Sequence, residues 1–298
     1  MKHEIFQIDA FASKPFAGNP AAIVPLKSWL PDDVMLNIAI ENNLAETAFF
    51  IPSEKGYDLR WFTPAVEMDL CGHATLATGF LIFEILGTKE NILRFQTRSG
   101  ELTVEKKDGR FVLDFPSRPA VPAEAPPELI EAIGAVPKEV LKSRDYVLLY
   151  ETEADVKAIK PNFEALRRVD THAVIVTAKG DTSDFVSRFF APDFGVPEDP
   201  VTGSAHCTLI PYWAEKLGKN ELFARQVSAR GGELFCELRG DRVTMAGDAV
   251  LYMRGEIYVA SEKSVGACGA IPKEPHVALS NDSYASQLRI ARRRDEIA

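Results

Sequence analysis

Short stretches of this 298-residue chain recur in the same order about 130 residues later, and this internal duplication constrains the fold more than any other feature. Arg60-Trp61-Phe62-Thr63-Pro64 returns as Arg188-Phe189-Phe190-Ala191-Pro192, an offset of 128 residues. Gly72-His73-Ala74 returns as Gly203-Ser204-Ala205 at an offset of 131, and Arg98-Ser99-Gly100-Glu101-Leu102 as Arg230-Gly231-Gly232-Glu233-Leu234 at 132. The order is kept while small insertions accumulate, so two homologous halves with one shared element order are expected.

Between the halves, Pro116, Pro119, Pro122, Pro126 and Pro127 deny the chain both helix and ladder hydrogen bonds, which reads as a linker. In the first half, residues 92–97, 101–106 and 110–115 read as short strands, the last two joined by the hairpin signal Asp108-Gly109. An apolar helix from about His73 to Leu86, closed by Gly87, interrupts them. The second half repeats this plan with strands near 146–150, 173–177 and 185–190 and a helix from Gly203 to Leu217 ended by Gly218, with Pro211 a possible kink. A helix apolar all round must be buried all round. The expected fold is therefore α+β, two pseudo-symmetric lobes each wrapping strands around a central helix, with the functional cleft between them. The lobes are drawn at 1–116 and 128–260, with a linker at 117–127 and a C-terminal extension at 261–298. The extension ends in Ala291-Arg292-Arg293-Arg294-Asp295-Glu296 and reads as a solvated tail, with partner binding the minority reading.

Charge narrows the partners. Lys plus Arg number 34 against 43 Asp plus Glu, a net −9, which repels phosphate backbones and anionic lipid surfaces and argues against nucleic acid. The N-terminal residues build no apolar signal segment, and the longest apolar stretch, Ala74 to Phe83, is too short to span a membrane. Cys71, Cys207, Cys236 and Cys268 form no C-x-x-C pair, which fits a reducing cytoplasm.

Each central helix begins with small residues, and a helix N-terminus offers unpaired N–H groups and the positive end of a dipole. Two such termini at Gly72 and Gly203 facing one cleft would hold a carboxylate and favour an enolate forming beside it. A residue needed for chemistry need appear in only one half, and Glu46 meets that test. It is embedded in the apolar run Leu44-Ala45-Glu46-Thr47-Ala48-Phe49-Phe50, and the 128 offset places Val174 opposite it. Burial would raise its pKa towards the working pH, as a general acid/base on carbon requires. His73 and Ser204 are equivalent by offset but differ in type. The histidine is expected to carry a proton near neutrality, and Asp199 to orient it or hold a polar substrate group, or else Asp199 and Ser204 simply cap the helix.

Other chemistries fit worse. Thr202-Gly203-Ser204-Ala205-His206 is not G-x-S-x-G, His73, Asp69 and His206 lack a metal-ligand spacing, and neither a Walker loop nor G-x-G-x-x-G is present, so no metal and no cofactor are expected. Cys71 at a helix start could be a thiolate, but its counterpart by offset is Thr202.

Phe16-Ala17-Gly18-Asn19-Pro20, Ala45-Glu46-Thr47-Ala48, Phe62-Thr63-Pro64, Asp69-Leu70-Cys71-Gly72-His73-Ala74-Thr75 and Asp199-Pro200-Val201-Thr202-Gly203-Ser204-Ala205 together resemble the phenazine-biosynthesis (PhzF) family over roughly residues 1 to 260. The resemblance implies the diaminopimelate-epimerase-like fold, usually as a homodimer. It also implies an isomerase that moves a proton between carbons of a small carboxylate, trans-2,3-dihydro-3-hydroxyanthranilate in the characterised member, without a cofactor. On that basis Glu46 is the proton shuttle, His73 and Asp199 are its catalytic partners, and Gly72, Gly203 and Ser204 receive the substrate carboxylate. Relatives of the same superfold pair two cysteines, one per lobe. Here Cys71 resembles the first and no second is present, so a Cys71 racemase or epimerase is the alternative, beside a non-catalytic binding protein.

Overall fold

The computed structural model describes residues 1–259. The tail beyond them and Cys268 lie outside the described residues, and the fold below is that of Lys2–Tyr258.

The duplication in sequence is a duplication of strand order. In the first half, Asn19–Pro25 pairs parallel with Glu46–Ser53, which pairs antiparallel with Gly56–Phe62. That strand pairs parallel with Ile92–Thr97, and Gly100–Lys107 and Arg110–Pro116 follow as antiparallel neighbours. In the second half, Tyr146–Leu149, Val174–Lys179, Phe185–Ala191, Glu221–Gln226, Gly232–Arg239 and Arg242–Gly247 repeat the same sequence of parallel and antiparallel pairings.

The two runs join where Arg110–Pro116 pairs antiparallel with Arg242–Gly247. They are also cross-tied. Ala249–Tyr258 returns to pair with Lys2–Ala10, and Val121–Pro122, inside the segment expected as linker, pairs with Glu139–Lys142. Each half thus lends its outgoing strand to the first strand of the other.

The repeated Arg-x-Phe-x-Pro stretch has a structural cause. Arg60 donates from Nε and Nη2 to Glu67 at 2.6 and 2.8 Å, and Arg188 does the same to Glu198 at 2.7 and 2.9 Å. Each guanidinium also lies over the phenylalanine two residues on, at 5.2 Å for Phe62 and 5.0 Å for Phe190. Such bidentate pairs fix the short return strands that lead into the central helices.

Both central helices are enclosed by strands of their own lobe. The first is α-helical only over Gly72–Phe80, and then widens into π-helical turns over Leu81–Gly87, where the sequence suggested one uniform helix. The wider turn brings the consecutive residues Leu81, Ile82 and Phe83 into the core, and Gly87 ends it at φ +76°. Within the helix Thr78 returns its hydroxyl to Ala74 O at 2.7 Å, so a threonine fits an apolar surround. The second helix runs Gly203–Leu217 without interruption at Pro211. Pro211 has no N–H for Cys207 O, and the backbone N–H of Arg118 occupies that carbonyl at 2.9 Å instead. Gly218 closes the helix at φ +66°, and Asp108-Gly109 turns the hairpin with both residues at positive φ. Among the described residues no helix is long and apolar enough to cross a membrane.

Candidate active site

The two central helices meet at their N-termini. A Cβ built on Gly72 would stand 3.5 Å from the Cα of Gly203, and one on Gly203 would stand 3.5 Å from the Cα of Gly72. The two helix starts are thus in contact through their glycines, and the N–H groups of both first turns come to one region.

Glu46 opens the strand Glu46–Ser53 beside this point. Pairing corrects its counterpart: Thr47 lies opposite Phe62, and Val174 opposite Phe190, so the residue equivalent to Glu46 is Ala173 rather than Val174. The second-lobe hairpin is one residue longer, and a one-residue slip changes the face of every side chain. Ala173 is apolar and buried, so the carboxylate still has no twin.

Glu46 Oε2 lies 3.2 Å from His73 Nε2, with side-chain exposures of 13% and 4%. The two atoms are close but not in hydrogen-bonding alignment, and neither has a hydrogen-bond partner among the described residues. On the far side of the ring, Asn19 Nδ2 is 3.1 Å from His73 Nδ1, and Cys71 Sγ is 3.6 Å from the same nitrogen. The Asn19 amide has two N–H groups, and Asp199 Oδ1 and Val201 O both lie nearer to its nitrogen than His73 Nδ1 does.

Asn19 also ties in the second lobe, donating to Asp199 Oδ1 at 2.7 Å and to Val201 O at 2.9 Å. Thr202 Oγ1 donates to Asp199 Oδ2 at 2.5 Å. Behind it, buried Gln226 donates from Nε2 to Asp199 O at 2.7 Å and to Thr202 Oγ1 at 3.1 Å, and accepts from Thr202 N at 2.8 Å. Glu46, His73 and Asp199, singled out from sequence, are therefore brought into one cluster. Asn19, Thr202 and Gln226 complete it and were not singled out as site residues. Asn19 lies in Phe16-Ala17-Gly18-Asn19-Pro20, one of the stretches that carry the resemblance, but nothing local marks Gln226, whose role depends on a contact 24 to 27 residues away. Ser204 lies one residue past Gly203, with its Oγ 3.4 Å from Arg144 Nη2. His206 lies apart from this cluster, fully buried with Nδ1 2.8 Å from Thr202 O.

Burial sets the protonation. Removal from water, reinforced by the charge of Asp199, raises Glu46 to about 8, with a hydrogen bond from the Cys71 thiol opposing in part. Burial also raises Asp199, to about 6, while donors from Thr202 and Asn19 hold it lower than Glu46. His73 is pushed down to about 3 by burial. It is therefore neutral at working pH, and the expectation that it carries charge near neutrality is corrected. Burial, with the Glu46 charge added, pushes the Cys71 thiol well above its ordinary value, so it is no thiolate. Donor atoms of Glu46, Cys71 and His73 lie within 4.8 Å of one another, a juxtaposition that no motif spacing reveals. A cation entering there would have to displace protons that burial holds on Glu46 and Cys71.

Two similar lobes, central helices meeting at their N-termini and one carboxyl without a counterpart beside them define an epimerase-type α+β fold. The family model described as phenazine biosynthesis-like protein (PhzC-PhzF) matches residues 8–255, and the chain belongs to this family. An uncharacterized isomerase of Pseudomonas aeruginosa is 49% identical over 259 residues, covering 87% of this chain and 100% of that protein. The crystal structure of a PhzF-family phenazine biosynthesis protein from Enterococcus faecalis matches with a TM-score of 0.84 and 48% identity, over 87% of this chain and 100% of that one. A hydroxyproline epimerase from Agrobacterium vitis, solved with trans-4-hydroxy-L-proline bound, is 10% identical with a TM-score of 0.56, over 88% of this chain and 94% of that one, and shows the shared fold alone.

Proposed function

We propose that this chain is an isomerase that moves a proton on carbon of a small, dihydro-hydroxyanthranilate-like carboxylate, with Glu46 as the general acid/base. The observation that carries this reading is Glu46 itself: one buried carboxylate, without a counterpart, held at the meeting point of two helix N-termini.

In the reaction, the substrate carboxylate lies against N–H groups of the helix starts near Gly72, His73, Gly203 and Ser204. As a carboxylate, Glu46 removes a proton from the adjacent carbon and becomes the neutral acid that its burial favours. Charge passes to the substrate, where the helix termini stabilise it. His73, neutral, stands with Nε2 3.2 Å from Glu46 Oε2 and confines the carboxyl while the proton is redelivered to a second carbon. Asp199, held by Asn19 and Thr202, takes a polar substituent of the substrate.

Incubation with trans-2,3-dihydro-3-hydroxyanthranilate in deuterated water, beside the Glu46→Gln variant, tests this by NMR. Deuterium on ring carbon with isomerisation, reduced in the variant by roughly 10²-fold or more, is the expected result. Near-normal turnover by Glu46→Gln would remove Glu46 as the base, and binding without exchange would favour a protein that only holds its ligand.

A further inference from the structure

Glu46 must be ionised to take a proton, and Asp199 stands near it in a chain of net charge −9, so an anionic substrate meets repulsion unless a full cation stands nearby. The helix termini contribute only about half an elementary charge each. Arg144 supplies a whole one.

Arg144 immediately precedes the buried Asp145 at the start of Tyr146–Leu149. Its Nε and Nη2 each lie 3.3 Å from the Asp145 carboxylate, and Nη2 lies 3.4 Å from Ser204 Oγ in the first turn of the second central helix. From the other side His172 Nδ1 holds Asp145 Oδ1 at 2.7 Å. Burial pushes the Asp145 carboxyl up, but His172 and Arg144 outweigh it and hold the group below its ordinary value. It is therefore a fixed anion that orients the guanidinium.

The structural arginines of this protein look different. Arg60 and Arg188 are saturated by bidentate carboxylates at 2.6 to 2.9 Å. The contacts of Arg144 are long beside the roughly 2.7–2.9 Å of charge-assisted bonds, Nη1 takes part in none of them, and the side chain is 31% exposed. This is an oriented arginine with donors to spare, beside the serine that opens the helix.

We infer that Arg144, oriented by Asp145 and His172, anchors the substrate carboxylate, which bridges its guanidinium and the Ser204 hydroxyl. This deepens the proton-transfer reading and rests on it.

Benzoate is the probe and benzamide its uncharged control, each titrated into ¹⁵N-labelled wild type, Arg144→Lys, Arg144→Gln and Glu46→Gln while the Ser204 and Ala205 amides are followed. Saturable shifts with benzoate but not benzamide are expected in wild type and Glu46→Gln. Arg144→Gln weakens benzoate roughly tenfold or more, and Arg144→Lys, which keeps the charge without the fork, falls between. Equal benzoate affinity in wild type and both arginine variants overturns the anchor, as does the absence of any saturable shift at Ser204 in wild type. Carbon deuteration that depends on Glu46 while benzoate ignores Arg144 would leave the proton-transfer reading intact and remove only the anchor.

Discussion

Glu46 Oε2 and His73 Nε2 stand 3.2 Å apart and neither makes a hydrogen bond among the described residues, so a neutral histidine ring lies against the one carboxyl without a counterpart while leaving that oxygen open to a proton. Burial and the nearby Asp199 raise that carboxyl to about 8, and only its ionised form can take a proton from carbon. The rate of substrate carbon–hydrogen exchange, measured as kcat/KM, should therefore climb close to tenfold per pH unit below about 8 and level off above it. A rate already flat from pH 6 to 9 would show that Glu46 does not begin the reaction as the base.

The same burial marks stability. The folded chain keeps the Glu46 proton between the ordinary value of 4.5, where an unfolded glutamate loses it, and about 8. The contribution of this group is fully present below 4.5 and declines as pH rises through about 8. Glutamine carries no such dependence. The difference in Tm, Glu46→Gln minus wild type, should grow from pH 5 to 8 in favour of the variant and then stay constant. A difference independent of pH in thermal melts would contradict a buried, protonated Glu46.

The parts of this arrangement legible in the sequence are those written in local pattern. The duplicated stretches announce two lobes, the apolar runs announce the central helices, and Glu46 stands out because a carboxylate interrupts an apolar strand. The unread parts depend on chain segments that meet only on folding. Asn19 reaches Asp199 and Val201 across 180 and 182 residues, and Ala249–Tyr258 closes onto Lys2–Ala10 across nearly the whole described chain. The true counterpart of Glu46, Ala173, was hidden by one extra residue in a hairpin, visible only in strand pairing.

Cys71 separates the isomerase reading from a thiol racemase. Its thiol is buried and held protonated, and its partner position in the other lobe is Thr202. Cys71→Ala should keep at least roughly a tenth of wild-type exchange, since general-base catalysis by Glu46 does not pass through sulfur. Loss comparable to that of Glu46→Gln, measured in the same deuterium assay, would return the cysteine to the reaction.

Gly79 tests the packing beneath the site. Alanine in a helix interior is ordinarily better than glycine by about 1 kcal/mol. Here a Cβ would meet Val104 Cγ1 at 2.7 Å, inside the lobe core. Gly79→Ala should therefore destabilise, by about 1–3 kcal/mol in denaturant unfolding, and a stabilised variant would mean the strand gives way.

Gln226 is a positioning residue, and its variants should behave differently from a simple loss of packing. It joins Asp199 O, Thr202 Oγ1 and Thr202 N into one clamp, so Gln226→Ala leaves buried backbone groups unpaired at about 1–3 kcal/mol. Gln226→Glu keeps an acceptor for Thr202 N but loses both donated bonds and brings a second negative charge towards Asp199. That charge should push Asp199, already raised to about 6, higher still and raise nearby Glu46 with it, displacing to higher pH the acid limb that Glu46 sets. A purely structural glutamine would lower Tm in both variants and leave the pH profile where it was. A shifted limb in Gln226→Glu, with the unfolding midpoint well above assay temperature, is the result that ties this side chain to the setting of the Asp199 and Glu46 carboxyls.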